Sequence, residues 1–336
     1  MARAAKADDT DRSSVSQILA AVSSLRVLVA GDLCLDRWCR YDPALTEPSR
    51  ETGIPRIAVV RTEVTPGAGG TVASNVAALG ARVDALGLAG EDGFGHELLE
   101  AVAARGISTK LVVRVPGIPT FTYTKLINCR TGEEDLPRVD FVYSAALPAE
   151  VERHLVARLE HAAGEYDVIL VSDQAETPEG GVVTAAMRLA LARIAQTHPQ
   201  VVVWVDSRLR LEHFRWVIVK ANRAEAEAAS TRALGRADYV ELRRRLEARL
   251  LVITKGGDGA SVVDSKGETV VPARRVEHPV DICGAGDAFS AGAALALKVT
   301  GDAIAAVQFG NLVASITIMK KGTGTASPEE VLAQEG

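Results

Sequence analysis

Cysteine is scarce and scattered: the four, Cys34, Cys39, Cys129 and Cys283, form no Cys-x-x-Cys pair and have no clustered histidines beside them. Neither structural zinc nor a disulfide framework is expected, and a reducing cytoplasm fits best. No apolar run approaches the roughly 18 residues that span a bilayer, so no membrane partner is expected. Positive charge is not in excess. The formal net charge is -5, which argues against nucleic acid as a partner, and the run Arg243-Arg244-Arg245 alternates with Glu241 and Glu247 as on a solvated helix face. There is no Gly-Lys-Ser/Thr, so a Walker A loop is excluded. Gly67-x-Gly69 lacks the third glycine of a dinucleotide fingerprint.

What the chain has is alternation. Short β-branched runs at 26–30, 83–88, 168–172, 201–206, 217–220 and 250–254 are separated by alanine-rich amphipathic stretches at 72–79, 96–105, 149–163, 182–196, 224–230 and 239–248. This pattern predicts an α/β fold with a mostly parallel sheet covered on both faces, and ligands at the carboxyl ends of its strands. Residues 1–14 are polar, suit neither a signal nor a transit peptide, and are expected to be a disordered tail before one domain over 15–336. Two segments, about 38–66 and 111–143, break the alternation and read as extended hairpins. They are expected to pair into a small β-sheet lid over the strand ends, and its exposed edges suit a homodimer. From Gly284 the chain reads as helical through Met319, with a loop of small residues and a capped helix from Ser327 after it.

The most informative stretch is Asp281-Ile282-Cys283-Gly284-Ala285-Gly286-Asp287-Ala288-Phe289. A Gly-Ala-Gly turn feeding a helix offers unpaired amides and partial positive charge to an anion. Asp287, beside that seat, would accept a proton from a hydroxyl attacking the anion, as in phosphoryl transfer to an alcohol. Taken alone, the stretch is equally a simple helix start, since Asp in a first turn is favoured anyway.

Other constellations carry the same double reading. Pro66 to Thr71 holds Gly67, Gly69 and Gly70 before a helix bearing Ser74 and Asn75, which suits close approach of a polar ligand. Asp32 and Asp36, after the first strand, could accept bonds from sugar hydroxyls or be loop residues. Asn222-x-x-Glu225 is complete as a capping box and could also support hydrated magnesium beside phosphate. Thr254-Lys255-Gly256-Gly257-Asp258-Gly259 suits a nucleotide loop or a hairpin turn. Arg208 and Lys255 are candidate cations for the phosphoryl group.

Together these segments resemble the PfkB family of carbohydrate kinases, with the ribokinase-like fold. Gly69-Gly70 to Gly80 to Gly90 resembles its first signature and Asp281 to Asp287 its second, with Asn-x-x-Glu and Thr-x-Gly between them, over about 26–328. The resemblance implies a three-layer sandwich and a kinase using ATP and Mg2+. Asp287 matches the catalytic base, and Gly284, Ala285 and Gly286 match the anion hole. Thr254, Gly256 and Gly259 match nucleotide-loop positions, joined by Asn222 and Glu225, and Asn311 falls at the adenine pocket. Asp36, Gly69 and Gly70 match sugar-binding positions, with Asn75 on the same turn. Asp281 falls where many members bind K+. Within the family the likeness runs to the kinase half of ADP-heptose synthesis proteins, carried by Lys125, Arg138 and Asp140 in the lid, and implies a phosphorylated heptose as one acceptor. Thr71, Ile282 and Glu176 depart from that pattern, and Glu176 would repel a substrate phosphate. A nucleoside or other non-sugar alcohol is the alternative acceptor, less favoured because aromatics are only 4% of the chain. A catalytically silent binding protein of the same fold is the other alternative.

Overall fold

A computed structural model describes residues 8–177 and 179–334. In chain order its elements are α1 (Asp8–Val22), β1 (Arg26–Gly31), β2 (Leu33–Tyr41), β3 (Val59–Ala68), α2 (Gly69–Ala78), β4 (Arg82–Leu86), β5 (Leu88–Gly90), α3 (Gly93–Ala103), β6 (Val113–Val115), β7 (Thr122–Asn128) and β8 (Val139–Phe141). There follow α4 (Ala149–Ala162), β9 (Val168–Asp173), α5 (Ala185–Thr197), β10 (Val202–Ser207), β11 (Ile218–Asn222), α6 (Arg223–Leu234), α7 (Tyr239–Arg245), β12 (Leu251–Thr254), β13 (Ala260–Asp264), β14 (Gly267–Val271), α8 (Ala285–Thr300), α9 (Ala303–Thr317) and α10 (Pro328–Ala333).

Eight strands form the central sheet in the order β14-β13-β12-β11-β10-β9-β1-β4. β4 to β12 run parallel; β13 and β14 return antiparallel at one edge. The inner strands are mostly apolar because both faces are covered, with polar residues gathered toward their carboxyl ends, and alternate residues serve opposite layers. Val27, Val29, Leu170 and Trp204 pack with α1, α2, α8 and α9. Leu28, Ala30, Ile169 and Val203 pack with α4, α5 and α6. This is the expected three-layer sandwich.

The lid is present as a four-stranded sheet ordered β3-β2-β7-β8, drawn from both of the segments that broke the alternation. Its outer face is fastened to α3, where Arg37 stacks on Phe94 with its guanidinium carbon 4.6 Å from the ring centre and pairs with Glu97 at 3.2 Å. Phe94 also meets Phe141 edge to face at 4.9 Å.

Three expectations change. Residues 8–14, placed in a tail by their polarity, belong to α1, whose later turns bury Val15, Ile18 and Val22 in the core; residues 1–7 lie outside the described residues. The C-terminal helical stretch is two helices, because Gly301 ends α8 in a left-handed conformation and the Asp302 side chain caps α9. The hairpin β13–β14, hidden in a short polar stretch, extends the sheet past the loop at 254–259.

Buried acids hold the strand ends. Asp32 accepts the backbone N–H groups of Gln174 and Ala175 at 2.8 Å each and of Val182 at 2.7 Å. Asp173, fully buried, takes Arg210 at 2.7 Å and the Ser207 hydroxyl at 2.6 Å, and Arg210 also donates to the carbonyls of Ala175, Thr177 and Gly180. Asp32 is therefore a clasp for the loop after β9 and not a sugar ligand. Arg210→Met, which strands the Asp173 charge, should lower the free energy of unfolding in urea by about 3–5 kcal/mol.

Candidate active site

The anion seat forms as the composition of its turn requires. Gly284 caps α8 in the left-handed region (φ 78°), and a Cβ on Gly286 would lie 2.9 Å from the Lys220 ammonium. Ala285 turns its N–H to the Ile282 carbonyl at 3.2 Å. Of the three expected amides it is therefore engaged in closing the turn, and the amides of the first turn of α8 beyond it are those with no helical partner.

Asp287 stands half-buried at this turn. Burial, and secondly the nearby Asp206 carboxylate, raise its pKa to about 7, against the pull of Lys220 and Arg208. A carboxyl poised near neutrality is suited to taking a proton at working pH.

Lid strands bring the acceptor candidates together through their period of two. Asp36 is in register with Thr65 on β3 and Tyr123 on β7, Trp38 with Lys125, and Tyr123 with Asp140 on β8, so all share one face. Asp36 is raised to about 6 by burial, offset by Lys125 and Arg138. Lys125 sits 4.4 Å from the Trp38 ring centre and 3.9 Å from Glu134. Arg138 grips Asp140 through two bonds of 2.7 Å and lies 4.8 Å from the Tyr123 ring centre. A cavity of about 410 Å³ separates this face, at Trp38, Thr65 and Glu134, from Asp281 and Thr323. The Thr65 hydroxyl is buried with no hydrogen-bond partner.

Gly69 and Gly70 start α2 directly beneath, with the Gly69 amide on the Asp32 carbonyl at 2.8 Å. Asn75 is fully buried and its amide donates to the Thr71 carbonyl at 3.0 Å. It supports this turn and has no surface facing the cavity, because α2 runs down into the core.

On the nucleotide side, Asn222 and Thr254 are register partners at the ends of β11 and β12. Asn222 and Glu225 complete a capping box, with bonds of 2.9 and 2.7 Å. Thr254 donates to the Ala221 carbonyl at 3.4 Å, and Gly256 and Gly259 shape the turn into β13. Asn311, on α9, donates to the Pro272 carbonyl at 3.5 Å. Lys255 is drawn away to Ser261 and Glu268, so it does not serve the anion seat. Arg208 pairs with Glu176. The Asp281 carboxylate receives the amides of Cys283 at 2.9 Å and Gly322 at 3.0 Å, tying the two loops together.

Sequence reasoning passed over Lys220 and Asp206, a buried pair at 2.6 Å beside the seat. A lysine closing the apolar run 217–220 was the available signal.

The three-layer α/β fold is shared with solved structures. Escherichia coli phosphofructokinase-2, in complex with potassium, aligns with a TM-score of 0.69 at 22% identity, covering 93% of this chain and 99% of that one. Arabidopsis thaliana ribokinase, complexed with ribose and ATP, aligns with a TM-score of 0.68 at 17% identity, covering 93% and 98%. The pattern of pfkB family carbohydrate kinases matches residues 32–330, and the chain belongs to that family, whose members are phosphotransferases acting on an alcohol group. It is similar to bifunctional protein HldE of Trichlorobacter lovleyi, 30% identical over 334 residues, with 96% of this chain and 65% of the relative covered. The chain thus spans about 65% of the length of that relative. Among the described residues no helix is long and apolar enough to cross a membrane.

A carboxyl raised from 3.8 to about 7 adds stability while protonated and loses it as pH rises through that window. Asp287→Asn should therefore be more stable than the parent at pH 8, by roughly 1–3 kcal/mol. Urea unfolding as a function of pH should show the gap closing toward pH 4.

Proposed function

We propose that the protein transfers the γ-phosphoryl group of ATP to a hydroxyl of a sugar. The observation that carries this reading is Asp287, near neutrality, at the first turn of α8 and across from the polar face of the lid. The acceptor oxygen attacks the γ-phosphorus as the bond to the β-phosphate oxygen breaks. The electron pair leaves on ADP and the hydroxyl proton passes to Asp287. The first-turn amides of α8 and the Arg208 guanidinium face the charge that develops on the phosphoryl oxygens. Asp36 would hold acceptor hydroxyls, and closure of the lid would exclude water.

Thr254, Gly256, Gly259 and Asn311 would line the nucleotide. The residues fit a magnesium ion that arrives with the phosphates: Glu225, raised by burial and by Asp206, is a half-buried carboxylate next to this space. Among the described residues no group of three or more His, Cys, Asp and Glu could hold a metal by itself. Magnesium, when bound, neutralises phosphate charge, and Asn222 and Glu225 would bear on it through water. For a monovalent cation, Asp281 keeps lone pairs beyond its two amide bonds, and K+ is proposed there.

A phosphorylated heptose is the second reading for the acceptor, favoured by the likeness to HldE. The cations near the acceptor face could meet its phosphate, although Lys125, Arg138 and Arg208 are each paired with a carboxylate of their own. The rings of Trp38 and Tyr123 are covered by Lys125 and Arg138, which disfavours a nucleoside base. We propose also that two copies associate through the lid, where Ile54, Ile57, Val59 and Val60 are exposed beside one edge and Val139, Phe141 and Val142 at the other.

ADP release should appear with one member of a panel of sugars and sugar phosphates, heptoses included; no turnover with any acceptor despite ATP binding would favour the silent reading. Asp287→Asn should lower kcat by about 10³-fold or more with ATP affinity within a few-fold, and parental kcat should climb as pH rises through about 7. In light scattering the chain should run as a dimer and Val60→Lys as a monomer; a monomeric parent would remove the lid contact.

A further inference from the structure

Lys220 and Asp206 are neighbours in register on β11 and β10, and both are buried, with 5% and 7% of their surface exposed. Their charged atoms are 2.6 Å apart, and the Ser290 hydroxyl lies 3.5 Å from the same Asp206 oxygen. A buried ion pair is a poor device for stability, since apolar residues of similar volume usually do as well or better. The position of this one is stranger still. The ammonium lies against the backbone of Gly286, under the first turn of α8, where the helix already presents partial positive charge and a cation is disfavoured. The carboxylates around it outweigh that disfavour and keep the ammonium charged. A Cβ at position 286 would lie 2.9 Å from the ammonium, so a side chain there would make Lys220 shift.

We infer that Lys220 is a positioning residue for phosphoryl transfer, a fixed cation held by Asp206 that strengthens the anion seat from beneath. It touches neither the sugar nor ATP in this scheme. Its charge acts through the Gly286 peptide and across to Asp287, and Lys220 is itself raised by the charges of Asp206, Glu225 and Asp287. Because it is covalently fixed and dry, it needs no reorganisation when the phosphoryl group passes. The groups facing it are Asp206 and Ser290 from its sides, Glu225 from α6 and Asp287 from α8. The inference rests on the kinase reading for its purpose, and its geometry stands apart from it.

The test compares the parent, Lys220→Met and the double variant Asp206→Leu/Lys220→Met, in the full chain. The single variant leaves Asp206 unpaired and is expected to lose stability; the double variant removes both charges and should melt at or above the parental temperature. Calorimetry with ADP, magnesium and tetrafluoroaluminate, a stand-in for the phosphoryl group in transfer, should show capture weakened by about ten- to a hundred-fold in the double variant, with affinity for ADP alone within about two-fold. Turnover should follow the same pattern, with kcat falling and the KM for the acceptor nearly constant. A double variant that captures tetrafluoroaluminate and turns over as the parent does would reduce the pair to a structural element and overturn the inference. Failure of the parent to phosphorylate any acceptor would instead count against the kinase reading, and the tetrafluoroaluminate comparison would still decide the role of Lys220.

Discussion

Carboxylates do not leave water without compensation, and the crevice at the carboxyl ends of this sheet gathers at least four of them. Each is treated differently. Asp32 is met by three backbone amides, Asp173 by the Arg210 guanidinium, and Asp206 by the Lys220 ammonium. Asp287 has no such dedicated partner, and its pKa is displaced to about 7. The first two solutions fix the loops that frame the crevice, the third sets an ion pair beneath the first turn of α8, and the fourth leaves a carboxyl displaced toward neutrality. Desolvation is thus the constraint from which both the architecture around the site and its chemistry follow.

The lid obeys a related logic. Its outer face is tied down by aromatic and cationic contacts with α3, whereas its inner face carries Asp36, Trp38, Tyr123 and Lys125 over the strand ends. Cations there are held in reserve by their own acids. That arrangement keeps the open cleft from being strongly charged and holds its polar groups in fixed orientations. The departure at Glu176 takes physical form nearby, because it engages the Arg208 guanidinium.

Much of the fold was legible because its signals are local. Strands buried on both faces betray themselves as β-branched runs, and their positions in 26–30, 168–172 and 250–254 match β1, β9 and β12 within a residue or so. The lid was legible as a break in that rhythm. α1 was obscured by the charged residues of its first turns, since its apolar stripe begins only at Val15. The β13–β14 hairpin was obscured because β14 is an exposed edge, although β13 is buried between it and β12. In the site, the Gly-Ala-Gly-Asp turn was readable from glycine's need for unusual backbone geometry. The partners of Asn75, Lys255 and Asp32 were not legible, because a polar residue near a turn can point into the core, along the sheet or into the loop, and spacing in the chain does not say which.

By itself the sequence determined the alternation of strands and helices, the turn that starts α8 and the identity of the acid behind it. These depend on backbone preferences and on periodicity, which act between near neighbours. The tertiary structure alone decided which charges meet: Asp206 with Lys220, Asp173 with Arg210, Arg208 with Glu176, and the seat at Gly286 with an ammonium below it. Those partners lie 14 to 66 residues apart in the chain. Whether a charge is quenched, stored or left reactive depends on the dielectric and the neighbours it finds after folding.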